Sequence, residues 1–213
     1  MTAMSAFARD NAAWLIADTG HYHGDGRIHS FGEKVVIDSR LSMMIGTCGR
    51  VREDAGDRIE HWLSEQPDRL TAFARLSALL CTLSDDTDDG EDAGDLPEGI
   101  RLTVAWWAPE TSNGRCAIMA TTAELAGGAQ PYELRQASTL FMPSLCEAAP
   151  WPGHSFDPEG DALALAELQR RAVHDDGTGR VAGQMLLYRV DANGITSREL
   201  CRWPDLIGDR IAP

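Results

Sequence analysis

The chain alternates short apolar runs of strand length with glycine, asparagine and aspartate turns, and it leaves that rhythm only for stretches spaced like helices. "AMSAFARD" and "AAWLIAD" read as strands divided by Asp10-Asn11, and "RIHSF", "EKVVID" and "LSMMIGT" continue the series around the turn Gly24-Asp25-Gly26. After Gly49 the apolar positions Val51, Ala55, Ile59, Trp62 and Leu63 fall on one helical face, and Pro67 ends the run. A second helix is predicted from Asp68 to about Leu83. "IRLTVAWWAP" and "RCAIMATT" predict a strand pair around Thr111-Ser112-Asn113-Gly114, and "YELRQASTLFMP" predicts further strand. "DPEGDALALAELQRRAV" opens with Asp-Pro and predicts a third helix, before a final hairpin turned at Asn193-Gly194.

Strands, two helices, strands, one helix, strands: that order implies sheets covered by helices, a layered α+β sandwich. The 213 residues suit a single domain spanning 1–213 and can bury a sizeable core. Trp106 and Trp107 are neighbours in one strand, so one ring is expected to face in and the other out.

The charge balance narrows the partners. A formal net charge of -14 would repel a nucleic-acid backbone. Part of it lies in "SDDTDDGEDAGDLPEG", residues 84–99, which lacks apolar periodicity and is expected to be a solvated loop. The cysteines at 48, 81, 116, 146 and 201 form no CxxC and number five, so neither a disulfide framework nor a zinc ribbon is indicated. No apolar run has the length of a membrane span, and the first residues do not resemble a secretory signal. A cytoplasmic protein with no cofactor is the expectation. His21 and His23, two apart, could share a face and approach a metal, but no partner motif accompanies them; no metal site is assigned.

The chemistry-bearing residues concentrate in the first fifty. Thr2, Asp18 and Lys34 are spaced sixteen residues apart, and "GTCG", Gly46 to Gly49, closes the last apolar run before the first helix. Asp18 and Lys34 sit at the ends of runs that read as adjacent strands. This pattern resembles the proteasome β-subunit and HslV-like branch of the N-terminal nucleophile hydrolases. The resemblance implies a four-layer αββα sandwich and an N-terminal threonine hydrolase that cleaves peptide or amide bonds, within a homo-oligomer. It leaves open which ATPase, if any, would partner it.

Carried over residue by residue, the resemblance makes Thr2 the nucleophile, with Asp18 and Lys34 beside it and the Gly49 amide as oxyanion donor. "HDDGTGR" resembles the family's Asp-x-x-Ser/Thr-Gly through Asp175, Thr178 and Gly179, and Ser144 matches the serine at a strand end. Thr19, Gly20 and Arg50 would wall the substrate site, where Arg50 could favour an acidic or polar side chain. Two departures stand out: Ala3 replaces the usual second threonine, and "CEAAPWPGHSF" is too rich in proline and glycine for the long helix found there in the family.

The residue types suit that chemistry. A threonine hydroxyl is a weak nucleophile that needs a base, and a free α-amine with a pKa of about 7.7–8.0 can serve on the same residue. A lysine nearby would lower that pKa by like-charge repulsion and stabilise negative charge on the hydroxyl oxygen, while an aspartate would orient the lysine. All of this requires loss of Met1, which a small second residue favours; no long propeptide is expected. Two other readings remain open from sequence: a catalytically silent assembly subunit of the same fold, and a hydrolase of small amides.

Overall fold

The first strands show why both faces of each sheet carry apolar side chains. In a computed structural model that describes residues 3–85, 99–142, 155–172 and 179–211, β1 (Met4–Arg9) and β2 (Ala12–Asp18) pair antiparallel, and every residue of β2 is buried. Side chains alternate along a strand, so Ala12, Trp14 and Ile16 of β2 enter one apolar cluster while Ala13, Leu15 and Ala17 enter another.

A short hairpin, β3 (Gly20–Tyr22) and β4 (Ile28–Phe31), follows β2 as a separate two-stranded sheet. The second large sheet starts with β5 (Val35–Asp38) and β6 (Met43–Gly49) and continues, after helices α1 (Ala55–Ser64) and α2 (Arg69–Asp85), with β7 (Ile100–Ala108), β8 (Asn113–Ala120) and β9 (Arg135–Ala137). Its order is β5-β6-β7-β8-β9, and every pairing is antiparallel. The first sheet is completed by β10 (Thr139–Leu140), then, beyond α3 (Pro158–Arg170), by β11 (Gln184–Asp191) and β12 (Gly194–Arg202), in the order β10-β1-β2-β11-β12. The described residues thus form a mixed α+β fold of three helices and twelve strands.

Three apolar clusters hold these elements. Ile59 and Leu63 of α1 and Leu76, Leu79 and Leu80 of α2 meet Ile45, Leu102 and Val104 of the second sheet. Met4, Leu15 and Tyr188 of the first sheet meet Val35, Met44 and Ala105 of the second. Ala162, Leu165 and Ala166 of α3 meet Trp14, Ile16 and Leu187 on the other side of the first sheet. At about 25 cal/mol per Å² of apolar surface, such two-sided burial is the main favourable contribution to folding. Close approach of the sheets depends on Gly114, where a Cβ would stand 1.9 Å from the Ala12 carbonyl carbon.

Three sequence expectations change. The segment 132–143 supplies two short strands instead of one, because Ser138 separates β9 at the edge of one sheet from β10 at the edge of the other. Trp107 does not turn to solvent: Trp106 stacks edge-on against Phe73 at 4.7 Å, and Trp107 packs on the cluster between the sheets. Ser84 and Asp85, assigned to the acidic loop, complete α2, while 86–98 lie outside the described residues. No helix among the described residues is long and apolar enough to cross a membrane.

Candidate functional site

Asp18 is the last residue of β2 and Lys34 immediately precedes β5, so the strands they flank belong to different sheets and are not neighbours. The side chains meet across the gap. Lys34 Nζ donates to Asp18 Oδ1 at 2.8 Å, with side-chain exposures of 3% and 0% respectively. Lys34 also donates to the Gly20 carbonyl at the start of β3, and its own carbonyl accepts from the Thr47 N–H at 3.0 Å. The ion pair therefore joins the first sheet, the β3–β4 hairpin and the second sheet.

Asp18 is held on three sides. Its Oδ1 accepts from the Ala3 N–H at 3.1 Å as well as from Lys34, and its Oδ2 accepts from the Ala182 N–H at 3.0 Å. The main chains of Ala3 and Asp18 are also joined in the other direction, the Asp18 N–H donating to the Ala3 carbonyl at 3.3 Å. Burial pushes the Asp18 carboxyl above its ordinary pKa, against the opposing pull of Lys34. Burial likewise pushes the Lys34 ammonium below its ordinary pKa, against the pull of Asp18. Burial thus pushes both partners toward their neutral forms, while their mutual attraction opposes it.

Gly49 closes β6 with φ at +102°, and a Cβ there would stand 2.2 Å from the Gly99 carbonyl oxygen. Only glycine fits this end of the strand. Hydrogen-bond direction alternates along a ladder: the Thr47 N–H points toward β5 and bonds Lys34, whereas the Arg50 N–H points toward β7 and bonds Gly99 at 3.0 Å. The Gly49 N–H therefore points to the β5 side, past Val35, the first residue of that strand.

There a cavity of about 190 Å³ opens, lined by Lys34, Thr47, Cys48 and Gly49 on the strand side and by residues of the α1 start on the other. His21 forms part of its wall. Burial, then the Lys34 and His29 charges, push the His21 imidazole down to about 4, so it is neutral at pH 7. The His29 ring centroid lies 5.9 Å from that of His21 and 4.9 Å from that of His23. No group of three metal-ligating side chains with suitable geometry occurs among the described residues.

Of the residues the sequence singled out, the structure brings together Asp18, Lys34, Gly20 and Gly49. Thr19 is buried, and its hydroxyl accepts from the Gln184 N–H at 2.9 Å, so it is engaged with β11. Arg50 is not among the residues lining the cavity; Arg52 is. Thr2, Ser144, Asp175 and Thr178 lie outside the described residues. Sequence reasoning missed Arg101, fully buried in β7, whose guanidinium donates to the Met4 carbonyl at 3.3 Å and fixes the start of β1. It also missed Ser5, whose hydroxyl accepts from Gln169 of α3 at 3.0 Å and from the Met142 N–H at 3.2 Å. A polar residue inside an otherwise apolar run was the available signal for both. Comparison with protein-family models and with curated proteins finds no match for this chain.

Proposed function

We propose that the chain is an N-terminal threonine hydrolase of the proteasome β-subunit and HslV-like kind, folded as a four-layer αββα sandwich, which cleaves peptide or amide bonds through Thr2. One observation carries the reading: the Asp18 carboxylate accepts both the Ala3 N–H, the amide bonded to the Thr2 carbonyl, and the Lys34 ammonium. The three apolar clusters support the layering, each joining a helical set to a sheet or one sheet to the other.

With Met1 gone, the Thr2 amine takes the proton from Thr2 Oγ1 as that oxygen attacks the substrate carbonyl carbon. The oxyanion that forms accepts from the Gly49 N–H; a donor of this type typically contributes on the order of 100-fold or more in rate. The amine returns the proton to the leaving nitrogen as the C–N bond breaks, leaving an ester on Thr2 Oγ1. Water, deprotonated by the same amine, attacks the ester, and the acid product departs with the hydroxyl restored. Lys34 favours the basic form of that amine by like-charge repulsion, and Asp18 keeps the ammonium in place.

The test pairs intact mass with covalent labelling. The purified native chain should have lost Met1, and an electrophilic peptide-mimicking inhibitor should add one equivalent at Thr2. Thr2→Ala should fold and reduce labelling to background. Full hydrolysis and labelling by Thr2→Ala would remove the nucleophile assignment, and a mass with Met1 retained would count against catalysis.

A further inference from the structure

The cavity beside Lys34 and Gly49 has two kinds of wall. Its apolar lining is Val36 and Val51, both half-buried, with the buried Ala55 and Ile59 adjoining. At Gly56, on the first turn of α1, an added Cβ would meet nothing within 4 Å, so the space there is open. Its exposed lining carries three carboxylates, Glu33 before β5, Glu53 before α1 and Asp57 on α1; Glu33 accepts from the Tyr188 hydroxyl and Glu53 faces His29 Nδ1, each at 3.4 Å.

The cations on the same walls are committed. Lys34 is bound to Asp18, and Arg52 Nε lies 3.1 Å from Asp54 Oδ1, a carboxylate not on the cavity wall. His21 is neutral at pH 7, as derived above. A side chain entering this cavity thus passes a negative rim and lays its stem on an apolar floor.

We propose that this cavity selects a long cationic side chain, of lysine or arginine type, with its methylenes against Val36 and Val51 and its charged head at Glu33, Glu53 and Asp57. An aliphatic stem capped by a cation is the one natural side-chain design that satisfies both walls. Resting on the hydrolase reading, this names the substrate: peptides or amides whose acyl side carries a basic residue next to the scissile bond. It also reverses the expectation attached to Arg50, because the charge facing the cavity is acidic.

The experiment has two arms. In the first, three fluorogenic peptide amides that differ only in arginine, leucine or glutamate before the scissile bond are compared by kcat/KM. Exposed ion pairs each contribute modestly, so three of them give an arginine preference of about tenfold over leucine at low salt, with glutamate slowest. Glu53→Gln/Asp57→Asn, both at exposed positions, should erase most of that preference, bringing the arginine kcat/KM down toward the leucine value. In the second arm, agmatine is titrated into the Thr2→Ala chain while the His21 imidazole is followed by NMR. The resonance should shift at low salt, and the shift should weaken in 0.5 M salt (about a 4 Å screening length) and in the doubly neutralised variant. Agmatine binding with no peptide cleaved would retain the cationic cavity and remove the hydrolase reading. Cleavage with leucine or glutamate equal to arginine, or a His21 resonance indifferent to agmatine, would overturn the cavity assignment.

Discussion

Two ion pairs meet the same short stretch, residues 181–183, and they are built differently. Arg170 of α3 grips Asp205 with two parallel bonds, Nη1 to Oδ2 at 3.1 Å and Nη2 to Oδ1 at 2.6 Å. The same carboxylate accepts the Gly183 N–H at 2.8 Å, the guanidinium also donates to the Val181 carbonyl, and it lies 5.2 Å from the Trp203 ring centroid. A planar, weakly hydrated guanidinium suits this role, since each donor finds a fixed acceptor. Asp18 and Lys34 make a single contact, and they are drier: 0% and 3% exposed against 9% and 10%. An ammonium is a compact, strongly hydrated charge whose pKa moves readily on burial. The first way locks two segments together through several fixed bonds; the second holds an ammonium in a dry site through one contact with Asp18.

The sharpest way to break this comparison is to remove the cation from each pair. Lys34→Met leaves the Asp18 carboxylate buried without a counter-charge, and the stability loss should be about 3–5 kcal/mol. Covalent labelling should disappear with it. Arg170→Met should cost about 2 kcal/mol, because the Asp205 side chain, 9% exposed, keeps some contact with water as well as the Gly183 N–H. Its labelling should persist. Urea unfolding and inhibitor labelling on the two variants decide the matter, and equal loss of labelling in both would erase the functional distinction.

Replacing each carboxylate by its amide sharpens the contrast. Asp18 uses both oxygens on main-chain donors, Ala3 on one side and Ala182 on the other. Asparagine there must turn its NH2 toward one of those N–H groups, leaving a buried donor unpaired at a cost of about 1–3 kcal/mol. Asp205→Asn can keep its oxygen where Oδ2 now accepts both Gly183 and Arg170 Nη1; its NH2 then faces Arg170 Nη2, a side-chain donor that can shift where a main-chain N–H cannot, and the loss should be about 1 kcal/mol. Thermal unfolding of the two variants reads the difference; a milder effect at Asp18 would mean that its main-chain bonds carry little weight.

Much of the mixed α+β fold was legible because its physical cause is periodic. Alternation placed Trp14 and Leu15 in different clusters, and helical spacing placed Ile59 and Leu63 together on the inner face of α1. What periodicity does not carry is which strands become neighbours. Asp18 and Lys34 follow one another through a chain of short apolar runs, yet β2 and β5 belong to different sheets, because the β3–β4 hairpin intervenes and redirects the chain. The candidate site was legible only as spacing. Its supports were not, since the Ala182 N–H and the Gly20 carbonyl are backbone groups that any residue could present. The fate of Trp107 has a similar cause: a strand pattern reports that its faces differ, not that both are covered.

The two pairs also differ in what stands beside them, and this gives a smaller, pH-dependent effect. His21 lines the cavity with Lys34, and its folded pKa of about 4 lies below the ordinary 6.5, chiefly through burial and then through the Lys34 and His29 charges. A histidine whose folded pKa is lowered binds its proton more readily in the unfolded chain. Its contribution to stability is therefore fully present above pH 6.5 and is lost as pH falls through about 4. A gap of that size would correspond to about 3 kcal/mol, and solvent on the open side of the cavity reduces the expectation to about 1–2 kcal/mol. Because many carboxylates titrate at the low end of the same window, the informative quantity is the difference between the parent and His21→Gln. Urea midpoints taken from pH 7 to pH 4 should converge as the pH falls, the parent losing an advantage that glutamine never had. The ammonium next to it adds a second test: in Lys34→Met one of the charges that lowers the His21 pKa is gone, so the convergence should still begin near pH 6.5 but end at a higher pH and span less. A gap between parent and His21→Gln that stays constant across the whole range would mean that the imidazole is not held neutral, and that the cavity wall carries a positive charge near pH 5.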